Sequence, residues 1–222
     1  MRREIIITGD GSPTLFVPEL DEHYHSIHGA FNESMHVFIN AGLLQKTNTL
    51  QPINLLEIGL GTGSNVLLTN SIVNKLNIHV NYDALEPFPI DSGTITALAN
   101  FGFDKFDSSL EAFLQLHQQN PEIPLQLSLQ LTFTVYHQTL ESIQFNKGYD
   151  LIYFDAFGPR VQPEIWSQAN FEKLYQAMHK DAILVTYCAK GEVRRTMQAA
   201  GFMVEKLPGP PGKREMLRAT KK

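Results

Sequence analysis

The stretch "LLEIGLGTGSN" places Glu57, Gly59, Gly61, Gly63 and Asn65 within one turn. Glycines let a backbone approach a ligand closely and adopt positive φ. Three occupants are open: a dinucleotide phosphate, a nucleoside cofactor without phosphate, or none. The dinucleotide fingerprint is G-x-G-x-x-G. Here the third glycine comes one position early, and an acid stands two residues before the first. A carboxylate there repels a pyrophosphate and suits a cationic or hydroxyl-rich ligand. Glu86 closes the next apolar run, where its carboxylate can accept from both hydroxyls of a ribose. An acid, three alternating glycines and a second acid one strand later make the pattern of S-adenosylmethionine sites.

A second cluster, "YFDAFGP" (153–159), carries Asp155, Phe157 and Pro159. An Asp followed by a Pro-containing turn suits methyl transfer to an amine. The amine must present its lone pair in line with the methyl group, with little freedom. Asp155 can accept its N–H bonds and take up the proton it loses. The plainer alternative is that Asp155 only satisfies a turn.

These clusters need elements to hold them. "INLLEI" (53–58) reads as a buried strand, 64–76 as a helix and "IHVNYDALE" (78–86) as a second strand. Helices are expected at 90–100 and 108–119, and one long strand or a hairpin at 125–137. "YDLIYFDAF" (149–157) reads as a strand, 163–178 as one helix and "DAILVTYCA" (181–189) as a strand. Residues 191–202 read as a helix ending at Gly201, before a closing antiparallel pair from "FMVEKL" and "REMLRAT". The alternation predicts an α/β fold: a mostly parallel sheet, helices on both faces and an antiparallel last strand. Ligands in such sheets sit at the carboxyl ends of the strands, where Glu57–Gly63, Glu86 and Asp155–Pro159 all fall. Residues 1–52 read as an N-terminal extension over the site, and 53–222 as the α/β domain.

A chain of 222 residues can bury one sizeable core. Its apolar runs stop short of the ~18 residues of a membrane span, and Ile5–Ile7 is too short for a signal peptide's apolar region. The lone Cys188 excludes an internal disulfide and a cysteine zinc cluster. A cytoplasmic protein with no membrane partner is expected. The net charge of −5 argues against an overall basic nucleic-acid binder. The charge is uneven, however. Lys190–Lys222 carries nine Lys/Arg against three Glu, about +6, and the remainder is −11. That segment is either a solvated face or a surface for phosphates.

Beyond these features the chain resembles the methyltransferase domain of the MnmC family, which methylates the 5-aminomethyl group of the wobble uridine in tRNA. "DEHYHSIHGAFNESMHVFI" (21–39), the glycine turn, "ALEPFPI" (84–90) and "YDLIYFDAFGPRVQPEIW" (149–166) resemble its motifs. The closing "TYCAKGEVRRTMQAAGF" and "KREML" are the most specific, since a generic methyltransferase needs neither. The resemblance implies a class I, Rossmann-like fold and S-adenosyl-L-methionine as cofactor. It implies that Glu57, Gly59, Gly61, Gly63, Asn65, Glu86 and Tyr24 serve that cofactor and that Asp155 faces the amine. Ser26, Glu33, Ser34, Phe157 and Pro159 would line the substrate side. Lys190, Arg194, Arg195, Lys213 and Arg214 would favour the tRNA. The family's third strand tends to end in Gly-Asp; here His137-Gln138 stands there, and Gln138 would accept from the adenine instead. Bifunctional members continue into a FAD-dependent oxidase domain. This chain ends at Lys222, which implies a single-domain member fed by a separate oxidase or other enzyme.

Two rivals remain open. One is a methyltransferase or aminopropyltransferase acting on a small amine or a protein, favoured by the acidic bulk of the chain. The other is a cofactor-binding partner protein without catalysis. His23, His25, His28 and His36 cluster in sequence, but H-x-H-x-x-H is not a zinc signature, and one substrate-facing histidine is the better reading. Trp166 and Cys188 read as core residues, and "LPGPPGKRE" (207–215) as a turn that could aim Lys213 and Arg214 across the cofactor mouth.

Overall fold

A computed structural model describes residues 1–48, 51–101 and 104–222. The chain opens with a three-stranded antiparallel sheet of β1 (Glu4–Ile7), β2 (Pro13–Val17) and β3 (Glu22–His23). Helix α1 (Ala30–Ser34) runs into a π-helical stretch, Met35–Asn40, which buries Val37, Phe38 and Ile39. The main body then alternates: β4 (Ile53–Ile58), α2 (Ser64–Leu76), β5 (Val80–Leu85), α3 (Ser92–Ala99) and α4 (Leu110–Gln118). A hairpin of β6 (Leu125–Gln126) and β7 (Leu131–Tyr136) follows, then β8 (Tyr149–Phe154), α5 (Gln168–Ala177), β9 (Met178–Thr186) and α6 (Gly191–Ala199). The closing strands are β10 (Met203–Pro208) and β11 (Glu215–Thr220).

The eight-stranded sheet has the order β10-β11-β9-β8-β4-β5-β7-β6. Strands β7, β5, β4, β8 and β9 run parallel, β6 and β11 run against them, and β10 pairs antiparallel with β11. This is the expected α/β sheet, with antiparallel pairing at each edge. The chain steps outward from β4 to β5 and β7, then returns to β8 on the other side. The switch point therefore lies between β4 and β8, where ligand crevices form in such folds.

Strand parity explains the double burial. Ile53 and Leu55 join one core cluster, with Val66 and Leu67 of α2 and Phe113 and Leu116 of α4. Leu56 and Ile58 point the other way, into a cluster with Phe171 and Leu174 of α5 and Val193 and Met197 of α6. A strand apolar on both faces is what a parallel sheet covered by helices requires.

Two expectations are corrected. Residues 163–178 are not one helix. Ser167 is extended (φ −67°, ψ 155°) and its hydroxyl accepts from Asn170 N, so a 3₁₀ turn, Pro163–Trp166, ends there and α5 starts afresh. The strand expected at 181–189 runs instead from Met178 to Thr186, with a register shift opposite Tyr149–Leu151 and positive φ at Asp181. Tyr187 and Cys188 are thereby left to the loop beyond the strand. Among the described residues no helix is long and apolar enough to cross a membrane.

Candidate active site

The ends of β4, β5 and β8 are knitted together beyond the strands themselves. Gly59 N donates to Leu85 O (3.0 Å), Asp155 N to Ile58 O (2.9 Å) and Glu86 N to Tyr136 O (2.9 Å). The chain passing Gly59 lies so near β8 that a Cβ there would stand 2.8 Å from the Asp155 carbonyl oxygen. Gly61, at φ +52°, lies under Tyr24; an added Cβ would meet that ring at 3.0 Å. Gly63 caps α2 at φ +74°, against Leu116. Glu86 spans the loop mouth, accepting from Gly61 N and Phe88 N, each at 3.0 Å.

A cavity of about 760 Å³ opens over these strand ends, well within the size range of small-molecule sites. Its wall includes Gly59, Gly61, Glu86, Gln138, Asp155 and Phe157. The first strands and the loop after them contribute Arg3, Tyr24 and His25. Tyr24 meets Phe157 edge to face at 5.0 Å and accepts from Arg3 Nε at 3.0 Å. Gln138 is on the wall, its amide nitrogen donating to Glu122 at 2.8 Å. Of the four clustered histidines His25 alone reaches the wall, its Nδ1 paired with Thr14 Oγ1 at 2.8 Å. Burial lowers its pKa and favours the neutral ring. Among the described residues no group of three or more His, Cys, Asp or Glu is placed to hold a metal.

Glu57 and Asn65 lie beneath this wall rather than on it. Glu57 is fully buried on the Leu55 face of β4. Asn65 Nδ2 donates to Glu57 Oε1 (2.8 Å) and to Asp155 Oδ2 (2.9 Å), while Tyr82 OH donates to Glu57 Oε2 (2.9 Å). Burial lifts the Glu57 carboxyl to about 8, against the lowering effect of those two hydrogen bonds. Asp155 is raised well above the usual carboxylate range, first by burial and then by Glu57 and Glu33.

The stability consequence of Glu57 has a definite sign. Between its ordinary value of 4.5 and about 8 the folded protein binds more protons than the unfolded chain, so stability falls as pH rises through that window. Glu57→Gln does not titrate. The melting temperature of this variant, relative to wild type, is expected to climb from pH 5 to about pH 8 and then level off. Thermal melts across that range check this; a flat or falling difference refutes the protonated assignment.

The other expected site residues divide. Glu33 is buried and forms an ion pair with Lys213 (2.6 Å), while its second oxygen accepts from Ser26 N (2.8 Å). Lys213 also sits 3.9 Å over the ring of Tyr187, whose hydroxyl donates to Ala156 O (2.9 Å). The 207–215 loop is thus tied to the N-terminal segment and to the chain just after Asp155. Ser34 is buried, with its hydroxyl unpartnered. Phe157 is on the wall, and its carbonyl accepts from the buried Trp166 at 2.8 Å. Pro159 lies outside the wall, next to Arg160, which donates to Asp21 O at 2.8 Å. Lys190, Arg195 and Arg214 are exposed and Arg194 is half-buried; none of them reaches the cavity. Tyr82 and Tyr187 were not foreseen: both sit inside apolar runs that look like plain strand, and a tyrosine in such a run was the available signal.

The chain is similar to several known proteins. A family model described as S-adenosyl-L-methionine-dependent methyltransferase matches residues 102–222. The tRNA 5-methylaminomethyl-2-thiouridine biosynthesis bifunctional protein MnmC of Cupriavidus metallidurans is 32% identical, over 96% of this chain and 33% of its own. The protein of that name from Methylobacillus flagellatus is 28% identical, over 87% of this chain and 32% of its own. The chain thus spans about a third of the length of these relatives. Among solved structures, MNMC2 from Aquifex aeolicus superposes with a TM-score of 0.81 at 23% identity, over all of this chain and 70% of that one. Spermidine synthase from Thermotoga maritima gives 0.54 at 13% identity, over 99% and 70%. These two likenesses establish the shared class I methyltransferase fold.

Proposed function

The chain belongs to the S-adenosyl-L-methionine-dependent methyltransferase family, and from that premise we propose that it methylates the primary amine of 5-aminomethyluridine, or its 2-thio form, at the tRNA wobble position. One observation carries the reading: the Asp155 carboxylate and the glycine loop share one cavity. The relatives' names supply the substrate class.

The residues present fit the cofactor. Glu86 offers a carboxylate at the loop mouth, and Gly59 and Gly61 leave no side chain between backbone and ligand. Leu60, Leu85 and Leu140 give apolar walls for a base. The cofactor supplies an electrophilic methyl group. All else falls to the chain. At neutral pH a primary amine is largely an ammonium ion and must lose a proton before it can attack. Asn65 holds Asp155 by Oδ2, which leaves Oδ1 for an N–H of the amine. Burial raises the proton affinity of Asp155, towards the value a general base needs near neutral pH. Residues 1–52 act as a cover, with Tyr24 and His25 on the wall, and 53–222 as the methyltransferase domain. A FAD-dependent oxidase activity supplies the aminomethyl group.

The basic segment serves the tRNA. Lys190→Ala, Arg195→Ala and Arg214→Ala together are expected to weaken tRNA binding and flatten its salt dependence by up to about 0.9 per lost phosphate contact. Gel shifts over a salt series measure this; an unchanged slope places the tRNA elsewhere. The decisive experiment is transfer of labelled methyl to tRNA bearing 5-aminomethyluridine, with fully modified tRNA as control. Label on the first alone is expected. The acidic wall residues Glu141 and Glu164 favour a second reading, a small cationic amine. Label on polyamines but on neither tRNA would establish that one instead.

A further inference from the structure

Glu57 and Asp155 share a single donor group. The amide of Asn65 has two protons, and its Nδ2 serves Glu57 at 2.8 Å and Asp155 at 2.9 Å. Among the described residues no cation is paired with either carboxylate. On the Glu57 side stand Tyr82, which donates to it, Tyr153 beyond and the acid Glu86. On the Asp155 side stand Tyr187, Glu33 and Lys213, and Lys213 is already paired with Glu33. A buried carboxylate and a half-buried one bridged by a neutral amide do not both ionise cheaply, and their titration belongs to the pair. Burial pushes both towards the protonated form, with Glu86 adding to it at Glu57 and Glu57 adding to it at Asp155.

We propose that Glu57 and Asp155 act as one acid, which keeps a single proton while the cavity holds no cation and gives it up when a cationic ligand binds. Glu57 and Asn65 are then positioning residues that arm Asp155 as a base. The proposal rests on the methyltransferase reading for the identity of the cation. S-adenosylmethionine carries a sulfonium charge, and S-adenosylhomocysteine does not. On binding, the proton passes to the buffer. On turnover the amine lone pair forms the new N–C bond, and the C–S pair stays on sulfur. The proton that the ammonium sheds before this attack goes to the vacated carboxylate, and the methylated amine leaves as a secondary ammonium. Loss of the positive charge restores the affinity of the pair for that proton, so the base is armed only while a methyl group is there to be moved.

Titration calorimetry in buffers of different ionisation enthalpy tests this without any tRNA. At pH 7 wild type is expected to release about one proton on binding S-adenosylmethionine and almost none on binding S-adenosylhomocysteine. The double variant Glu57→Gln/Asp155→Asn should remove the difference, because neither carboxyl remains to hold the proton. Equal release with both ligands, or a difference that persists in the double variant, overturns the proposal. A difference infrared spectrum needs no variant: a protonated-carboxyl band should vanish with S-adenosylmethionine and remain with S-adenosylhomocysteine, and a band unchanged by both overturns it. Absence of S-adenosylmethionine binding would remove the proposal together with the cofactor. Failure to methylate tRNA with the proton linkage intact would refute only the substrate.

Discussion

Asp155→Ala is expected to slow methyl transfer by about 10²–10⁴-fold, the usual contribution of a positioned proton acceptor, while cofactor affinity changes little. The asymmetry follows from where Asp155 sits. Its backbone closes the β8 end against Ile58 O and Gly59, and that part survives the substitution. Its side chain makes one hydrogen bond, to Asn65, and the residue lines the cavity. Truncation frees an Asn65 proton for Glu57 and removes a repelling carboxyl, so the fold should not suffer at pH 7–8. Single-turnover rates, with affinity by calorimetry and a melt as control, separate the outcomes. Asp155→Asn keeps shape without basicity and should be nearly as slow. Wild-type turnover in either variant would end the role of Asp155 as base. A lost rate together with lost cofactor binding would instead make it part of the cofactor site.

Legibility in the sequence followed the strength of periodic signals. Helix α2 starts and stops where the sequence puts it, because Gly63 precedes one unbroken apolar pattern and Asn77 ends it in the left-handed region. The strands at 53–58 and, as far as Phe154, 149–157 are legible because parallel strands buried on both faces read as continuous apolar runs. The N-terminal segment gives no such signal. Its strands are two to five residues long and have no helical layer to write a period, so only the resemblance connects Tyr24 to the cavity. Ser167 was visible as a capping residue inside "IWSQANFEK", yet the helical pattern on both sides masked the break. Glu57 is the instructive case. A motif places it beside the cofactor, but strand parity places it with Leu55, below the sheet end. Reading Leu55, Leu56 and Ile58 as alternating faces would have turned its side chain inward beforehand. What no local signal could supply is the meeting of Glu33 with Lys213, residues 180 positions apart in the chain.

Gly59→Ala is expected to damage both stability and cofactor binding. Two costs add. At φ +91° a residue with a Cβ is strained by about 1–3 kcal/mol. The new methyl would also lie 2.8 Å from the Asp155 carbonyl oxygen and 3.2 Å from its carbon. That neighbour is backbone, pinned by Asp155 N to Ile58 O, while Gly59 N is pinned to Leu85 O. Relief therefore requires the ends of β4 and β8 to part, and those ends form the cavity floor. For a chain of this size about 2–4 kcal/mol lowers the melting temperature by roughly 5–15 °C, and cofactor affinity should fall at least about tenfold, about 1.4 kcal/mol. Gly61→Ala is the control. Its φ of +52° lies in the left-handed region open to other residues, and the atom it meets is the edge of the Tyr24 ring, a side chain able to tilt. It should melt within a few degrees of wild type and lose less affinity. If the two variants behaved alike, the loop would be tolerating its glycines' replacement as an ordinary surface turn does. The contact between the β4 and β8 ends would then not be what shapes the cofactor cavity.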